Sequence, residues 1–160
     1  MKRKNGFTLL ELLVATSLTV VLMLAVSSVF MTFLLADART NLRRQIQSEG
    51  AEMIHRMEFL LRNSKTITCN SIPNPVIDFV TMENNAINIT KNNTELLYTL
   101  GGGSPILLNS ATAQIDSLTF TCTEDATTKK RVVVIDLVVR HQSNAAVKEK
   151  FKSYVQIRNS

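Results

Sequence analysis

Hydrophobic positions fall into three regimes along the chain. From Phe7 to Ala36 nearly every residue is apolar, broken only by serines, threonines and one carboxylate, Glu11. From Asp37 to about Asn63 apolar residues recur at helical spacing, through Leu42, Ile46, Met53, Met57 and Leu60, with Ala51, Ile54 and Leu61 alongside. Arg39, Arg43, Arg44, Glu49, Glu52, Arg56, Glu58 and Arg62 lie mostly off that stripe. This second stretch has no proline and one glycine, Gly50. The two regimes therefore predict one continuous helix of about 55 residues, roughly 80 Å long at 1.5 Å per residue. Residues 7–36 are long enough to cross a bilayer core of about 30 Å, and residues 37–63 form an amphipathic continuation.

The third regime is different in period. Ile72-Pro73-Asn74-Pro75 ends helical character, because the residue before a proline favours extended backbone. Short β-like runs follow at Val76–Met82, Ala86–Thr90, Glu95–Leu100, Ile115–Thr123, Arg131–Arg140 and Phe151–Arg158. Asn84-Asn85, Asn92-Asn93 and Gly101-Gly102-Gly103-Ser104-Pro105 supply turns between the earlier runs. Leu118, Phe120 and Cys122 share one face, as do Val133, Ile135, Leu137 and Val139, leaving Asp136 and Arg140 on the other. A sheet with one apolar face needs a cover, and the amphipathic half of the helix fits it. The alternative for the stripe is a coiled-coil partner. The expected fold class is α+β: a long N-terminal helix packed on a small antiparallel β-sheet head formed by residues 64–160.

Charge sharpens the reading of the N-terminus. The formal net charge is +5, with 18 Lys and Arg against 13 acids. Lys2, Arg3 and Lys4 precede the apolar run, so without residues 1–6 the basic count drops to 15 and the charge to +2. The basic balance is thus mostly local to the first residues and argues little for a basic-ligand function. A secretory signal would offer Ala36-Asp37-Ala38 as a cleavage site, yet its apolar region spans only about 7–15 residues, far fewer than here. A plain signal anchor accounts for everything except Glu11, since a carboxylate within a spanning segment is costly and marks a function.

The string Gly6-Phe7-Thr8-Leu9-Leu10-Glu11, behind a short basic leader and ahead of a long apolar helix, resembles the prepilin peptidase site of type IV pilins and type II secretion pseudopilins. The resemblance implies that residues 1–6 are a leader removed by cleavage after Gly6, and that Phe7 becomes the N-methylated first residue. It also implies that Glu11 pairs with the Phe7 amine of a neighbouring subunit as helices bundle in a filament. Gly6 suits the extended backbone a protease needs at its cut. The count of flanking positive charges, Lys2, Arg3 and Lys4 against Arg39, Arg43 and Arg44, is tied. The resemblance implies leader inside and head outside the cytoplasmic membrane, then a place in a filament. Implied partners are other pilins, the prepilin peptidase, an inner-membrane platform protein and an assembly ATPase. Ser27-Ser28 stands where many major pilins carry a proline, which points toward a minor subunit. The ending Ser153–Asn159 resembles that of minor pilins, and the layout loosely resembles J-type minor pseudopilins. The machine is left open among type IV pilus, competence pilus and type II secretion filament.

Further chemistry is sparse. Cys69 and Cys122 are the two cysteines. Neither has zinc-ligand spacing. In an extracytoplasmic chain they read as one disulfide, worth about 4 kcal/mol for a loop of about fifty residues, or as two separate buried thiols. No nucleophile elbow, Walker loop, zincin or dinucleotide motif is present, so no enzyme, cofactor, metal or small-molecule substrate is expected. Glu124-Asp125 lacks the ligand ladder of a calcium loop. His55 and His141 have no catalytic neighbour in sequence, and Asn88-Ile89-Thr90 and Asn92-Asn93-Thr94 match sequons that arise by chance in such loops. The alternative function is an anchored binding module. In it, Lys129-Lys130-Arg131 with Lys148, Lys150 and Lys152 would form a basic patch for nucleic acid. Solubilising loop charge is the simpler reading of those residues.

Overall fold

The computed structural model describes residues 8–68, 72–125 and 130–157. One helix, α1 (Leu9–Arg62), precedes eight strands: β1 (Ser64–Ile67), β2 (Val76–Thr81), β3 (Ala86–Asn92), β4 (Glu95–Leu100), β5 (Ile106–Leu107), β6 (Ala113–Glu124), β7 (Arg131–His141) and β8 (Asn144–Ile157). The chain divides into two compact units, residues 1–40 and 41–160.

In the first unit every described residue is exposed, and the large apolar side chains from Leu9 to Leu35 are 51–83% accessible. Five of the hydroxyls in this stretch are turned inward to the backbone. Thr16, Ser17, Thr19, Ser28 and Thr32 each donate to a carbonyl three or four residues earlier, at 2.7–3.0 Å.

In the second unit the helix buries Ile46, Gly50, Met53, Ile54, Met57 and Leu61. The helical-period stripe is therefore covered by the chain's own sheets rather than left for a coiled-coil partner. Ala51, expected in the stripe, is exposed. The close seat belongs to Gly50, where an added Cβ would lie 2.2 Å from the Phe151 ring. A glycine there lets β8 approach the helix at ring thickness. The helix ends at Arg62, and the Ser64 hydroxyl donates to the Leu61 carbonyl at 2.6 Å, satisfying one of the final carbonyls.

The β region comprises two antiparallel sheets rather than one. Strands β1-β2-β3-β4-β5 form the first in sequence order, and β6-β7-β8 the second. Strands β1 and β5 were not expected, and β8 begins seven residues before the predicted start at Phe151. The register Val133↔Val155, Ile135↔Ser153 and Leu137↔Phe151 aligns the inward rows of β7 and β8. Inward Ile115, Leu118, Phe120 and Cys122 on β6 complete that layer. Ile77, Phe79, Ile87, Ile89 and Leu96 form the buried face of the first sheet.

Two asparagines join the sheets. Asn74 exchanges backbone hydrogen bonds with Phe120 at 3.0 and 2.8 Å. Buried Asn109 accepts from the Leu96 N–H at 2.7 Å and donates to the Ala113 carbonyl at 2.7 Å, tying β4 to β6. The expected turns are present: Asn84, Asn93, Gly101 and Gly102 all have positive φ, a region where Asn and Gly are best tolerated.

Helix and sheets are also held by polar contacts. Glu49 accepts from Thr112 Oγ1 at 2.7 Å and from the Ser110 hydroxyl, and Glu58 accepts from the Ser153 hydroxyl. Arg43 lies 3.5 Å from Glu149 on β8.

Candidate assembly site at the helix N-terminus

Glu11 and Thr8 close a reciprocal capping pair at the start of α1. The Thr8 N–H donates to Glu11 Oε2 at 3.0 Å, and the Thr8 hydroxyl donates to the same oxygen at 3.0 Å. The Glu11 N–H lies 3.3 Å from Thr8 Oγ1 as its acceptor. Thr8 is thus the cap and Glu11 the third helical residue, each satisfying a backbone donor that the helix leaves open. The carboxylate also meets the positive end of the helix dipole. Sequence reasoning placed Glu11 in the first turn but passed over Thr8. The signal was available, since Thr-x-x-Glu ahead of an apolar run is a capping-box pattern.

Gly6 and Phe7 lie outside the described residues, as does Cys69. Cys122 is buried on β6 and disulfide-bonded. Among the described residues no three His, Cys, Asp or Glu side chains gather into a metal-binding group. Glu124 pairs with Arg131 at 2.8 Å.

The structure breaks up the proposed basic patch. Lys148, Lys150 and Lys152 do share the outward face of β8, but the neighbouring strands set acids against them. Lys148 Nζ is 2.6 Å from Asp116, whose carboxylate also faces Arg140 at 3.8 Å. Asp136 sits between Lys150 and Lys152 at 3.9 and 3.8 Å. The hydrogen bond from Lys148 holds the Asp116 carboxyl below the usual carboxylate range; desolvation opposes this, and the charges of Lys148, Arg140 and Lys91 reinforce it. Lys129 lies outside the described residues. His55 is exposed, whereas His141 is buried, with Nδ1 accepting from the Ser143 N–H at 3.1 Å. That ring serves the β7–β8 turn.

An apolar helix with exposed side chains over Leu9–Leu35, in a chain whose other unit is an α+β head, supports a membrane-anchored protein. Residues 1–27 match the family described as the prokaryotic N-terminal methylation motif. The matched segment contains Gly6, Phe7 and Glu11, and it supports a type IV pilin-like protein. The long helix packed on antiparallel sheets is consistent with an α+β pilin fold. No curated protein and no solved structure matches the chain.

Proposed function

We propose that the chain is the precursor of a filament subunit, a minor pilin or pseudopilin, cleaved after Gly6 and methylated on Phe7. The observation that carries this reading is the methylation motif at residues 1–27, with Glu11 the sole acid in a spanning-length apolar stretch. Residues 1–6 are the leader, residues 7–36 anchor the subunit and then line the filament core, residues 37–63 continue the helix into the head, and residues 64–160 form the extracytoplasmic β-sheet head. Cleavage frees an ammonium on Phe7, and Glu11 meets the amine of a neighbouring copy. In a low-dielectric bundle this pairing sets register, because an offset subunit leaves an uncompensated charge. Other pilins, the prepilin peptidase, a platform protein and an assembly ATPase are the partners this requires. In the head, the disulfide of Cys122 pairs with Cys69, the chain's other cysteine.

Intact-mass measurement of the chain from its native host tests the reading directly. The expected product begins with N-methylated Phe7; a chain still beginning at Met1 overturns it. Gly6→Ala is expected to abolish the processed band. Glu11→Ala is expected to leave insertion intact and reduce incorporation into filaments, measured by shearing and immunoblotting.

A further inference from the structure

A spanning segment that waits in the bilayer before assembly must satisfy its polar groups without partners. Hydrocarbon offers neither donors nor acceptors, and an unsatisfied group there is costly. Two independent observations show how this segment does so for most of its polar groups. The hydroxyls of Thr16, Ser17, Thr19, Ser28 and Thr32 are bonded back to the helix's own carbonyls. Glu11, the sole ionisable residue between Phe7 and Ala36, is bonded to the amide and the hydroxyl of Thr8.

From this we infer that Thr8 is a positioning residue, which keeps the Glu11 carboxylate internally satisfied in the unassembled, membrane-inserted subunit. The inference rests on the filament role proposed for Glu11, because it describes the state from which that role begins. Both bonds converge on Oε2 and come from one residue on the same chain. Glu11 can therefore be inserted with Oε2 already bonded twice within its own chain and later exchange Thr8 for an incoming amine. Neither end of the exchange leaves the carboxylate bare. Valine at position 8 keeps the shape of threonine and removes the hydroxyl. It deletes one donor to Glu11 and the acceptor of the Glu11 N–H together.

The test is a double-mutant cycle on the full-length chain in host membranes, in a Gly6→Ala background so that cleavage does not enter the comparison. The readout is the ratio of membrane-integrated to alkali-extractable chain. Thr8→Val is expected to lower that ratio about tenfold, the scale of a lost hydrogen bond to a charged group. Thr8→Ser, which keeps the hydroxyl, is expected to stay within about twofold of the parent. With Glu11→Leu already present, Thr8→Val is expected to have no further effect, since no carboxylate needs satisfying. An equal loss in both backgrounds would reduce Thr8 to an ordinary helix cap and overturn the inference, as would no loss with Glu11 in place. Filament incorporation of processed Glu11→Leu separates the two readings. Normal incorporation defeats the filament role of Glu11, while the membrane cycle still decides the role of Thr8.

Discussion

The two parts of α1 share a backbone and differ in what surrounds them. Between Leu9 and Leu35 the helix exposes leucine, valine and phenylalanine on all sides. Between Ile46 and Leu61 it buries one stripe against two sheets and keeps its charges off that stripe, with Glu49 and Glu58 reaching hydroxyls of the sheet region at its margins and Glu52–Arg56 and Glu58–Arg62 pairing at four-residue spacing. The first stretch has no cover of its own among the described residues, as suits a helix held by lipid. The second takes its cover from the chain itself. Helical propensity alone does not distinguish them, whereas the breadth of the apolar surface does.

That contrast can be broken most forcefully at the buried stripe. Met57 is fully buried, and Met57→Ala is expected to cost the head about 2–5 kcal/mol. Leu24→Ala removes similar apolar surface at a position 67% exposed. It is expected to leave urea unfolding of the head, followed for both variants in detergent micelles, unchanged. Equal effects at the two positions would mean that the two stretches are not energetically separate.

A smaller effect is expected at Gly50. Alanine favours a helix over glycine by about 1 kcal/mol, but its Cβ would overlap the Phe151 ring. Overpacking of this kind costs about 1–3 kcal/mol. Gly50→Ala is therefore expected to lower the denaturation midpoint slightly, and Phe151→Leu in the same chain to recover part of the loss. A stabilised single variant would show that the ring moves aside freely.

The smallest effect concerns Asp116. Its carboxyl is held below its ordinary value of 3.8, chiefly by the hydrogen bond from Lys148. A lowered folded-state value means that the ion pair stabilises the head above pH 3.8. The contribution fades as pH falls from there through the folded value. Asp116→Asn is expected to flatten the acid limb of the stability profile slightly, a surface pair of this kind being worth little. An unchanged limb would remove Asp116 from the account.

Much of this architecture is legible in the residues. The helix end at Arg62 follows from the loss of periodicity, and the inward rows of β6 and β7 follow from strict alternation of apolar side chains. Other parts are not local properties of the sequence. Asn144–Lys150 is rich in alanine, lysine and glutamate, poor strand formers, and is extended because the β7 register runs through Lys148 and Glu149. The four residues of β1 and two of β5 are too short to carry a pattern. Gly50 and Asn109 owe their roles to partners about 100 and 13 residues away, Phe151 and Leu96. At the helix start, Glu11 stood out because an acid among apolar residues is conspicuous. Thr8 did not, because its role lies in a pairing.

The outer strand β8 carries lysine at three alternate solvent-facing positions along an edge fourteen residues long. Charged edges of this kind discourage the docking of a foreign strand. A molecule so equipped can reach high local concentration beside its own copies without its heads fusing into a continuous ribbon.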